Sequence, residues 1–256
     1  MPRLLVRKPS PHLADGELTH LERVPVDAAL ARSQWEAYVD VFRARGWDVV
    51  PVPADDAHPD GVFVEDAVVV FDDVAVVCRA GALSRRGEAA TVAPVLATLG
   101  LPVAEITAPG TLDGGDVLKI GRTAYVGLSA RTNTVAVDQL RALLEPRGWS
   151  VVAVPVTRVL HLKSAVTALP DGTVIGYPPL VDDPGVFDRF LPVPEEHGTA
   201  VVVLDSRTVL MSADAPATAE LFRARGLNVV TVPVSEFEKL EGCVTCLSVR
   251  VRDLAR

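Results

Sequence analysis

The sequence predicts an α/β fold, a propeller of five blades with pseudo-fivefold symmetry that spans residues 1–256 as one domain. Three near-copies of one segment support this prediction: Arg45-Gly-Trp-Asp-Val-Val-Pro-Val, Arg147-Gly-Trp-Ser-Val-Val-Ala-Val and Arg225-Gly-Leu-Asn-Val-Val-Thr-Val. Each copy follows an amphipathic helical pattern and precedes a loop and an apolar hairpin. A unit of strand, turn, strand, helix and strand that recurs in this way is typical of blades around one axis.

The helix of each unit is expected from apolar residues that recur every three or four positions. In the helices before Arg45 and Arg147 these residues are Trp35, Val39 and Phe42, then Val137, Leu140 and Leu144. The glycine of each Arg-Gly pair lies where a helix ends, because glycine tolerates the left-handed backbone conformation. The apolar run after that glycine is expected to be a strand.

Polar turns divide the hairpins of the first four units: Asp72-Asp73, Gly121-Arg122, Pro170-Asp171-Gly172 and Asp205-Ser206-Arg207. The fourth unit is degenerate, and residues 188–194 replace its helix end and last strand. The fifth unit begins at Cys243, and its partner strand can only be the N-terminal run from Arg3 to Arg7. The N- and C-terminal strands are therefore expected to pair and close the ring.

One polar side chain recurs at the first strand of four units. Asp66, Asp113 and His161 follow one another at nearly constant spacing, and Cys246 occupies the fifth copy. The stretch from Glu241 to Arg250 is expected to be a buried strand that carries this thiol. Because equivalent positions in a pseudo-symmetric ring converge on its axis, we expect two carboxylates, an imidazole and a thiol in one pocket.

A second polar set recurs after the second strands of the first two units. Arg85 and Arg131 lie at almost the same distance from Asp66 and Asp113. Two arginines at equivalent loop positions could bind a carboxylate through planar, bidentate hydrogen bonds.

These residue types permit covalent catalysis on a cationic substrate. An imidazole favours the thiolate form of a nearby cysteine, which is a strong nucleophile, and it can protonate a leaving amine. Four acids are expected at the same rim: Asp60, Glu65, Asp66 and Asp116. Buried acids are costly without a cation, and guanidinium is the cation that carboxylates bind in pairs. An amino acid with a guanidinium head is therefore the substrate that fits these acids and arginines. The chemistry requires no metal or cofactor.

The composition excludes several other classes. The chain has a net charge of -8 and no basic patch, which disfavours nucleic acid as a partner. Its apolar runs are too short for a membrane span or a signal peptide. The three cysteines lack zinc-site spacing. We expect a cytoplasmic protein, a monomer or homodimer, with a small-molecule substrate.

Each candidate residue also has a structural interpretation. Cys246 alone would most often be a small core residue, and His161 a hydrogen-bonded core histidine. The segment Asp113-Gly-Gly-Asp116 could be only a turn. Cys78 and Cys243 are predicted to be structural.

The motifs together resemble those of the dimethylarginine dimethylaminohydrolases, over essentially the whole chain. The matching segments are Phe63-Val-Glu-Asp66, Ser84-Arg-Arg-Gly-Glu88, Leu112-Asp-Gly-Gly-Asp116, Leu128-Ser-Ala-Arg-Thr-Asn133, His161-Leu-Lys and Cys246-Leu-Ser. The resemblance implies the five-bladed pentein fold of the guanidine-modifying superfamily. It also implies hydrolysis of N-methylated and asymmetrically dimethylated arginine to citrulline plus methylamine or dimethylamine.

The resemblance implies a role for each candidate. Cys246 resembles the nucleophile, His161 the general acid and base, and Asp113 the acid that supports the histidine and contacts the guanidinium. The implied substrate contacts are Asp66 with Glu65 for the guanidinium, Asp60 and the Leu18 carbonyl for the α-amino group, Arg85 and Arg131 for the carboxylate, and Phe63 and the Leu240 backbone for the wall. Residues 15–18 resemble a mobile lid, although residues 17–20 depart from the family pattern.

Two alternatives stay open. An arginine deiminase or an amidinotransferase could use the same fold, although the chain is short for a deiminase with an inserted helical domain, and transfer needs an amine acceptor. A noncatalytic binding protein, such as the ribosome anti-association factors, could also use it. That class does not need a thiol, an imidazole and acids in equivalent positions.

Overall fold

The computed structural model describes residues 1–252, which form fifteen strands and six α-helices. The strands are β1 (Arg3–Val6), β2 (Asp48–Pro51), β3 (Val68–Phe71), β4 (Val74–Val77), β5 (Val103–Glu105), β6 (Val117–Ile120), β7 (Thr123–Leu128), β8 (Ser150–Pro155), β9 (Val166–Ala168), β10 (Val174–Gly176), β11 (Phe190–Pro192), β12 (Val201–Val203), β13 (Thr208–Ser212), β14 (Asn228–Val232) and β15 (Val249–Val251). The helices are α1 (Ala28–Arg43), α2 (Ala93–Thr98), α3 (Thr134–Leu144), α4 (Leu162–Ala165), α5 (Pro216–Ala224) and α6 (Ser235–Glu238).

The strands form five three-stranded sheets with one shared topology. In four sheets an antiparallel hairpin is followed by a third strand that pairs in parallel with the second. In the fifth sheet β15 takes the place of the first hairpin strand and pairs antiparallel with β1, which pairs in parallel with β2. The sheets are β3-β4-β5, β6-β7-β8, β9-β10-β11, β12-β13-β14 and β15-β1-β2. The predicted unit of strand, turn, strand, helix and strand is therefore confirmed, and five such sheets fit a pseudo-fivefold arrangement.

The two ends of the described chain meet in one sheet. Strand β1 pairs antiparallel with β15, so that Arg3 lies opposite Val251 and Leu5 opposite Val249. It also pairs in parallel with β2. The predicted pairing of the N- and C-terminal strands is confirmed.

Helices α1 and α3 bury the apolar faces that the periodicity indicated, including Trp35, Phe42 and Leu140. The chain turns after α1, α3 and α5 at glycines with a positive φ: Gly46, Gly148 and Gly226, at 74°, 76° and 84°. These are the glycines of the three Arg-Gly pairs. The degenerate unit is the third and not the fourth as predicted: two 3-10 turns connect β10 to β11 in place of an α-helix, whereas the fourth hairpin is followed by α5.

The prediction of a strand from Glu241 to Arg250 was wrong in its first part. Residues 244–247 form a turn, in which the Cys246 backbone N donates to the Cys243 carbonyl at 3.1 Å, and only Val249–Val251 is a strand. The polar residues at the equivalent positions of three other blades also lie at turns. Asp66 lies in the 3-10 turn Val64–Ala67, and Asp113 and His161 cap short helical turns. A turn before the first strand therefore carries each polar side chain, and a short apolar run does not distinguish such a turn from a strand.

The first strands of all five sheets, β3, β6, β9, β12 and β15, line one axial cavity of about 700 Å³. The apolar core consists of five clusters, each of which combines residues from two neighbouring sheets with a helix or loop packed against them. Among residues 1–252 no helix has the length and apolar character to cross a membrane. The cytoplasmic location stays a prediction, and the last four residues of the predicted domain, 253–256, lie outside the described residues.

Candidate active site

A narrow pocket opens where the turns before the first strands meet. Its lining residues are Glu17, Asp60, Phe63, Asp66, Arg85, Arg131, Leu160, His161, Leu240, Glu241, Gly242 and Cys246. The convergence inferred from the repeat is thus present for Asp66, His161 and Cys246. Three residues of the predicted site do not line the pocket: Leu18, Glu65 and Asp113.

Asp113 lies directly behind His161. The His161 Nε2 atom is 3.0 Å from Asp113 Oδ2, and both side chains are buried. Asp113 is held in turn by the backbone N of Gly81, which donates to its Oδ1 at 2.9 Å. A buried carboxylate on one ring nitrogen fixes the orientation of an imidazole. Asp113 therefore supports His161 from outside the pocket.

The environment of His161 favours its protonated form. Burial alone would lower the pKa of the imidazole, but the charge of Asp66, the hydrogen bond with Asp113 and the charge of Asp116 raise that pKa to about 9. The Nδ1 atom lies 3.8 Å from Asp66 Oδ1. At neutral pH the pocket therefore contains an imidazolium, which is a proton donor.

Asp66 is an ionised carboxylate at the floor of the pocket. It accepts from Arg85 Nη1 at 2.8 Å and from the Gly115 backbone N at 2.9 Å. Burial raises the pKa of this carboxyl, but His161 and Arg85 outweigh that effect and lower the pKa to about 2. An ionised acid beside a pocket wall is suited to a cationic ligand.

The glycines of Asp113-Gly-Gly-Asp116 are required by close approach rather than by turn geometry alone. A Cβ atom on Gly115 would lie 2.6 Å from His161 Nδ1 and 2.8 Å from Asp66 Oδ1. A Cβ on Gly114 would lie 2.0 Å from the Glu65 carbonyl oxygen. The segment is a turn, as its structural interpretation held, but its backbone forms part of the site.

The two arginines of the pocket differ in how far the protein satisfies them. Arg85 forms a bidentate pair with Glu88 through bonds of 2.8 and 2.9 Å, in addition to its bond to Asp66. Arg131 Nη2 donates to Thr19 Oγ1 at 3.1 Å, whereas its buried Nη1 has no hydrogen-bond partner within residues 1–252 and forms only a 3.8 Å ion pair with Asp113 Oδ2. Arg131 therefore offers an unused donor, and Arg85 chiefly holds Asp66.

The structure corrects the placement of two acids. Glu65 faces the axial cavity, where its Oε1 lies 2.6 Å from Lys163 Nζ and 2.7 Å from Arg250 Nη2. Asp116, predicted at the rim, is fully buried and accepts from the hydroxyls of Ser129 and Thr132. Both acids point away from the pocket because their partners lie on other elements, which sequence spacing does not specify.

Cys246 is a buried thiol on the opposite wall. Its Sγ lies 3.4 Å from Cys243 Sγ and accepts from the Cys243 backbone N at 3.4 Å. The hydrogen bond with Cys243, burial and the nearby negative charges raise the pKa of Cys246 well above its usual value. The protonated thiol is therefore the favoured form of Cys246 in the described arrangement, a point that the sequence left open.

A loop closes over the pocket. The Glu241 carboxylate accepts from the backbone N atoms of Thr19 and Leu21, and the Glu17 backbone N donates to Asp60 Oδ2 at 3.0 Å. The Leu18 side chain packs against the apolar cluster that contains Phe63 and Leu240. Four residues that line the pocket were not predicted from the sequence: Glu17, Leu160, Glu241 and Gly242. Only Glu17 had a signal in the sequence, because it lies in the lid motif around Gly16.

Comparisons with known proteins identify the family. A family model described as N,N dimethylarginine dimethylhydrolase, eukaryotic, matches residues 22–169. The chain is 61% identical over 253 residues to N(G),N(G)-dimethylarginine dimethylaminohydrolase from Streptomyces coelicolor, with 98% of each chain covered. The chain belongs to the dimethylarginine dimethylaminohydrolase family.

Two solved structures of the dimethylarginine dimethylaminohydrolase family share the fold of this chain. One is an adduct of a histidine-to-glycine variant with S-methyl-L-thiocitrulline, with a TM-score of 0.89, 33% identity and coverage of 98% of this chain and 100% of that chain. The other is a cysteine-to-serine variant from Pseudomonas aeruginosa with citrulline, with a TM-score of 0.90, 33% identity and coverage of 97% and 98%. The resemblance inferred from the motifs is confirmed.

Within residues 1–252, Asp66, Asp113 and His161 are arranged so that a metal ion could bind. Each offers one ligand atom, and these atoms lie within 4.8 Å of one another. The arrangement of these three side chains is also explained without a metal ion, by the contacts of His161 with Asp113 and Asp66 and by the bond from Arg85 to Asp66. The absence of a metal and of a cofactor from the reaction stays a prediction.

Proposed function

We propose that this chain hydrolyses Nω-methylated and asymmetrically dimethylated L-arginine to L-citrulline plus methylamine or dimethylamine, through a covalent adduct on Cys246. The observation that carries the proposal is one pocket lined by a thiol, an imidazolium, an ionised carboxylate and a guanidinium with an unused donor. Membership of the dimethylarginine dimethylaminohydrolase family supports the same reaction.

The substrate is held at both ends. Asp66 binds the guanidinium head, because its ionised oxygens are the acceptors nearest to His161 in the pocket. Arg131 binds the α-carboxylate through Nη1, which has no hydrogen-bond partner among the described residues, and Arg85 remains a second predicted donor in the pocket. Asp60, with the Leu18 carbonyl, binds the α-amino group. Phe63 and Leu240 flank the aliphatic part.

The cation activates the nucleophile. A guanidinium next to Cys246 stabilises the thiolate, so binding lowers the pKa of Cys246 and the thiol proton leaves to solvent. The sulfur then forms a bond to the guanidinium carbon. His161 gives its proton to the methylated nitrogen, the carbon–nitrogen bond breaks, and the neutral amine leaves.

The second half of the cycle reverses the role of His161. Neutral His161 takes a proton from a water molecule, and the resulting hydroxide attacks the adduct carbon. The carbon–sulfur bond breaks and Cys246 leaves as thiolate. The hydroxyl group on the carbon gives its proton to that thiolate, and the product carries the neutral ureido group of citrulline. The loop held by Glu241 excludes other water while the adduct exists.

The proposal includes a closed ring of five blades that forms one catalytic domain. Two features support closure. The first strands of all five sheets line the same axial cavity, and neighbouring first strands contact each other, as β6 and β9 do. The polar turns then lie at one end of the axis, as the candidate site requires.

The direct test measures citrulline release from asymmetric dimethylarginine and from arginine in buffer without an added amine. We expect turnover of the methylated substrate and release of dimethylamine in equal amount. Turnover of arginine alone would assign the chain to the deiminases. Turnover that needs an added amine acceptor would assign it to the amidinotransferases, and no turnover in either assay would overturn the proposal.

The pH profile tests the proton donor. The donor is present while His161 is protonated and is lost as the pH rises through about 9. We therefore expect kcat/KM to fall on the alkaline side with an apparent pKa near that value. Asp66→Asn removes the largest charge that raises this pKa, so its alkaline limb should move toward neutral pH, in addition to a raised KM.

The matched control is Asp138→Asn, which makes the same charge change on an exposed side chain of α3. Its pH profile should follow the unsubstituted enzyme. An alkaline limb that stays in place in Asp66→Asn would contradict the assigned coupling between Asp66 and His161.

Arg131 should determine affinity for the substrate's carboxylate. We expect Arg131→Gln to raise KM for dimethylarginine by about 10- to 100-fold, the range for the loss of a charge-assisted hydrogen bond. With the decarboxylated analogue, the same substitution should change KM little, because the removed donor has no acceptor there. Arg141→Gln on α3 serves as the control. An equal rise of KM for both substrates would exclude the carboxylate contact.

A further inference from the structure

The proposed reaction leaves one reactive group unused, the thiol of Cys243. Its Sγ lies 3.4 Å from Cys246 Sγ, and the two residues are joined by one turn, residues 244–247. The third cysteine, Cys78, is buried in a different apolar cluster and is not part of this pair. Two sulfurs at this distance need only small side-chain rotations to reach the disulfide bond length of about 2.05 Å.

Cys243 has the chemistry of a thiol that oxidants attack. The hydrogen bond from Cys246 and a second one from Thr245, whose Oγ1 lies 3.3 Å away, outweigh burial and lower the pKa of Cys243 to about 7. Since the thiolate is the reactive form, a sizeable fraction of Cys243 is nucleophilic at neutral pH. Cys246 donates to it and stays protonated, so the pair shares one negative charge.

Cys243 is also reachable without passage through the substrate pocket. It is half-buried and lines a separate cavity of about 260 Å³ beside Val244, His197 and Ser212. Cys246, in contrast, is buried and lines the substrate pocket. The two thiols thus lie between two cavities, and a small oxidant can enter by the one that the substrate does not use.

We propose that Cys243 and Cys246 are a modification site at which a hydroperoxide forms a reversible intramolecular disulfide. The loss of turnover that this causes rests on the proposed role of Cys246 as nucleophile. The Cys243 thiolate attacks one peroxide oxygen, which gives a sulfenic acid and hydroxide. The Cys246 sulfur then attacks the sulfenic sulfur, the sulfur–sulfur bond forms, and the Cys246 proton leaves with the hydroxyl group as water.

In net terms two thiols lose two hydrogens, and hydrogen peroxide becomes two molecules of water. A dithiol reductant restores both thiols by thiol–disulfide exchange. The disulfide also stops the oxidation of the nucleophile at a recoverable stage, because a cysteine without a partner proceeds to sulfinic acid. The pair therefore both inactivates and protects the site.

The test treats the purified enzyme with hydrogen peroxide at neutral pH, blocks free thiols with N-ethylmaleimide, and analyses a non-reduced digest by mass spectrometry. We expect the peptide with both cysteines to lose roughly 2 Da, without maleimide labels, as a disulfide requires. Activity should fall in proportion to this species and return with dithiothreitol. Cys78→Ser should behave in the same way.

Cys243→Ser is the decisive variant. Its activity after peroxide treatment is compared only with the activity of the same variant before treatment. After prolonged peroxide treatment the unsubstituted enzyme should regain its activity with dithiothreitol, whereas Cys243→Ser should not, because Cys246 is then found as sulfinic acid. If the unsubstituted enzyme loses activity but yields no disulfide-linked peptide, the proposed disulfide is overturned, and the assignment of Cys246 as the nucleophile is unaffected. A formed disulfide with full activity would overturn the role of Cys246 instead.

Discussion

Cys246→Ser is expected to lower kcat for asymmetric dimethylarginine by a factor of roughly 10⁴ or more, in the range that loss of a catalytic nucleophile produces. A serine hydroxyl ionises far less readily than a thiol. The neighbouring His161 is an imidazolium and cannot take the proton from that hydroxyl. Substrate affinity should change much less, because Asp66 and Arg131 make the proposed binding contacts.

The measurement combines steady-state citrulline release with equilibrium binding of the substrate to the variant. Sulfur and oxygen differ little in size, so the thermal unfolding midpoint should stay close to that of the unsubstituted enzyme. Cys78→Ala, which removes a buried thiol outside the pocket, should keep its turnover. A loss of kcat in Cys246→Ser that is much smaller than this factor would refute the assignment of the nucleophile.

His161→Asn is expected to lower kcat for dimethylarginine by about 10²- to 10⁴-fold, the contribution of a positioned general acid and base. Without the imidazolium, the amine must leave as an unprotonated anion. S-methyl-L-thiocitrulline has a thiolate leaving group, which departs without a proton donor. Adduct formation from that compound should therefore fall much less than turnover of dimethylarginine.

A rapid-quench experiment separates these steps. The amount of adduct on Cys246 after mixing with each compound reports the first half of the cycle, and citrulline release reports the second. His12→Asn, an exposed histidine outside the pocket, is the control. Equal losses for both compounds in His161→Asn would assign His161 to a role other than protonation of the leaving amine.

Much of the fold could be predicted because its signals are local. Burial of one helix face requires apolar residues at the spacing seen in Trp35, Val39 and Phe42. A left-handed turn requires the glycine at position 46. Because the same unit recurs, Asp66, His161 and Cys246 could be placed in one pocket before any distance was known.

The predictions that failed concern side chains whose partners lie in distant parts of the chain. Glu65 and Asp66 are neighbours in one turn, yet one faces Lys163 and Arg250 and the other faces His161. Arg85 and Arg131 occupy equivalent positions, but Glu88 satisfies only Arg85. The repeat does not distinguish the members of either pair.

The sequence by itself determined the blade unit, the number of blades, the pairing of the chain ends and the residue types of the site, because periodicity and repetition are properties of the chain. Only the tertiary structure decided which acid enters the pocket and which arginine keeps a free donor. It also decided that Cys246 lies on a turn against Cys243, and that Glu241 holds the loop around Thr19. Those outcomes follow from hydrogen bonds and charges between residues far apart in sequence.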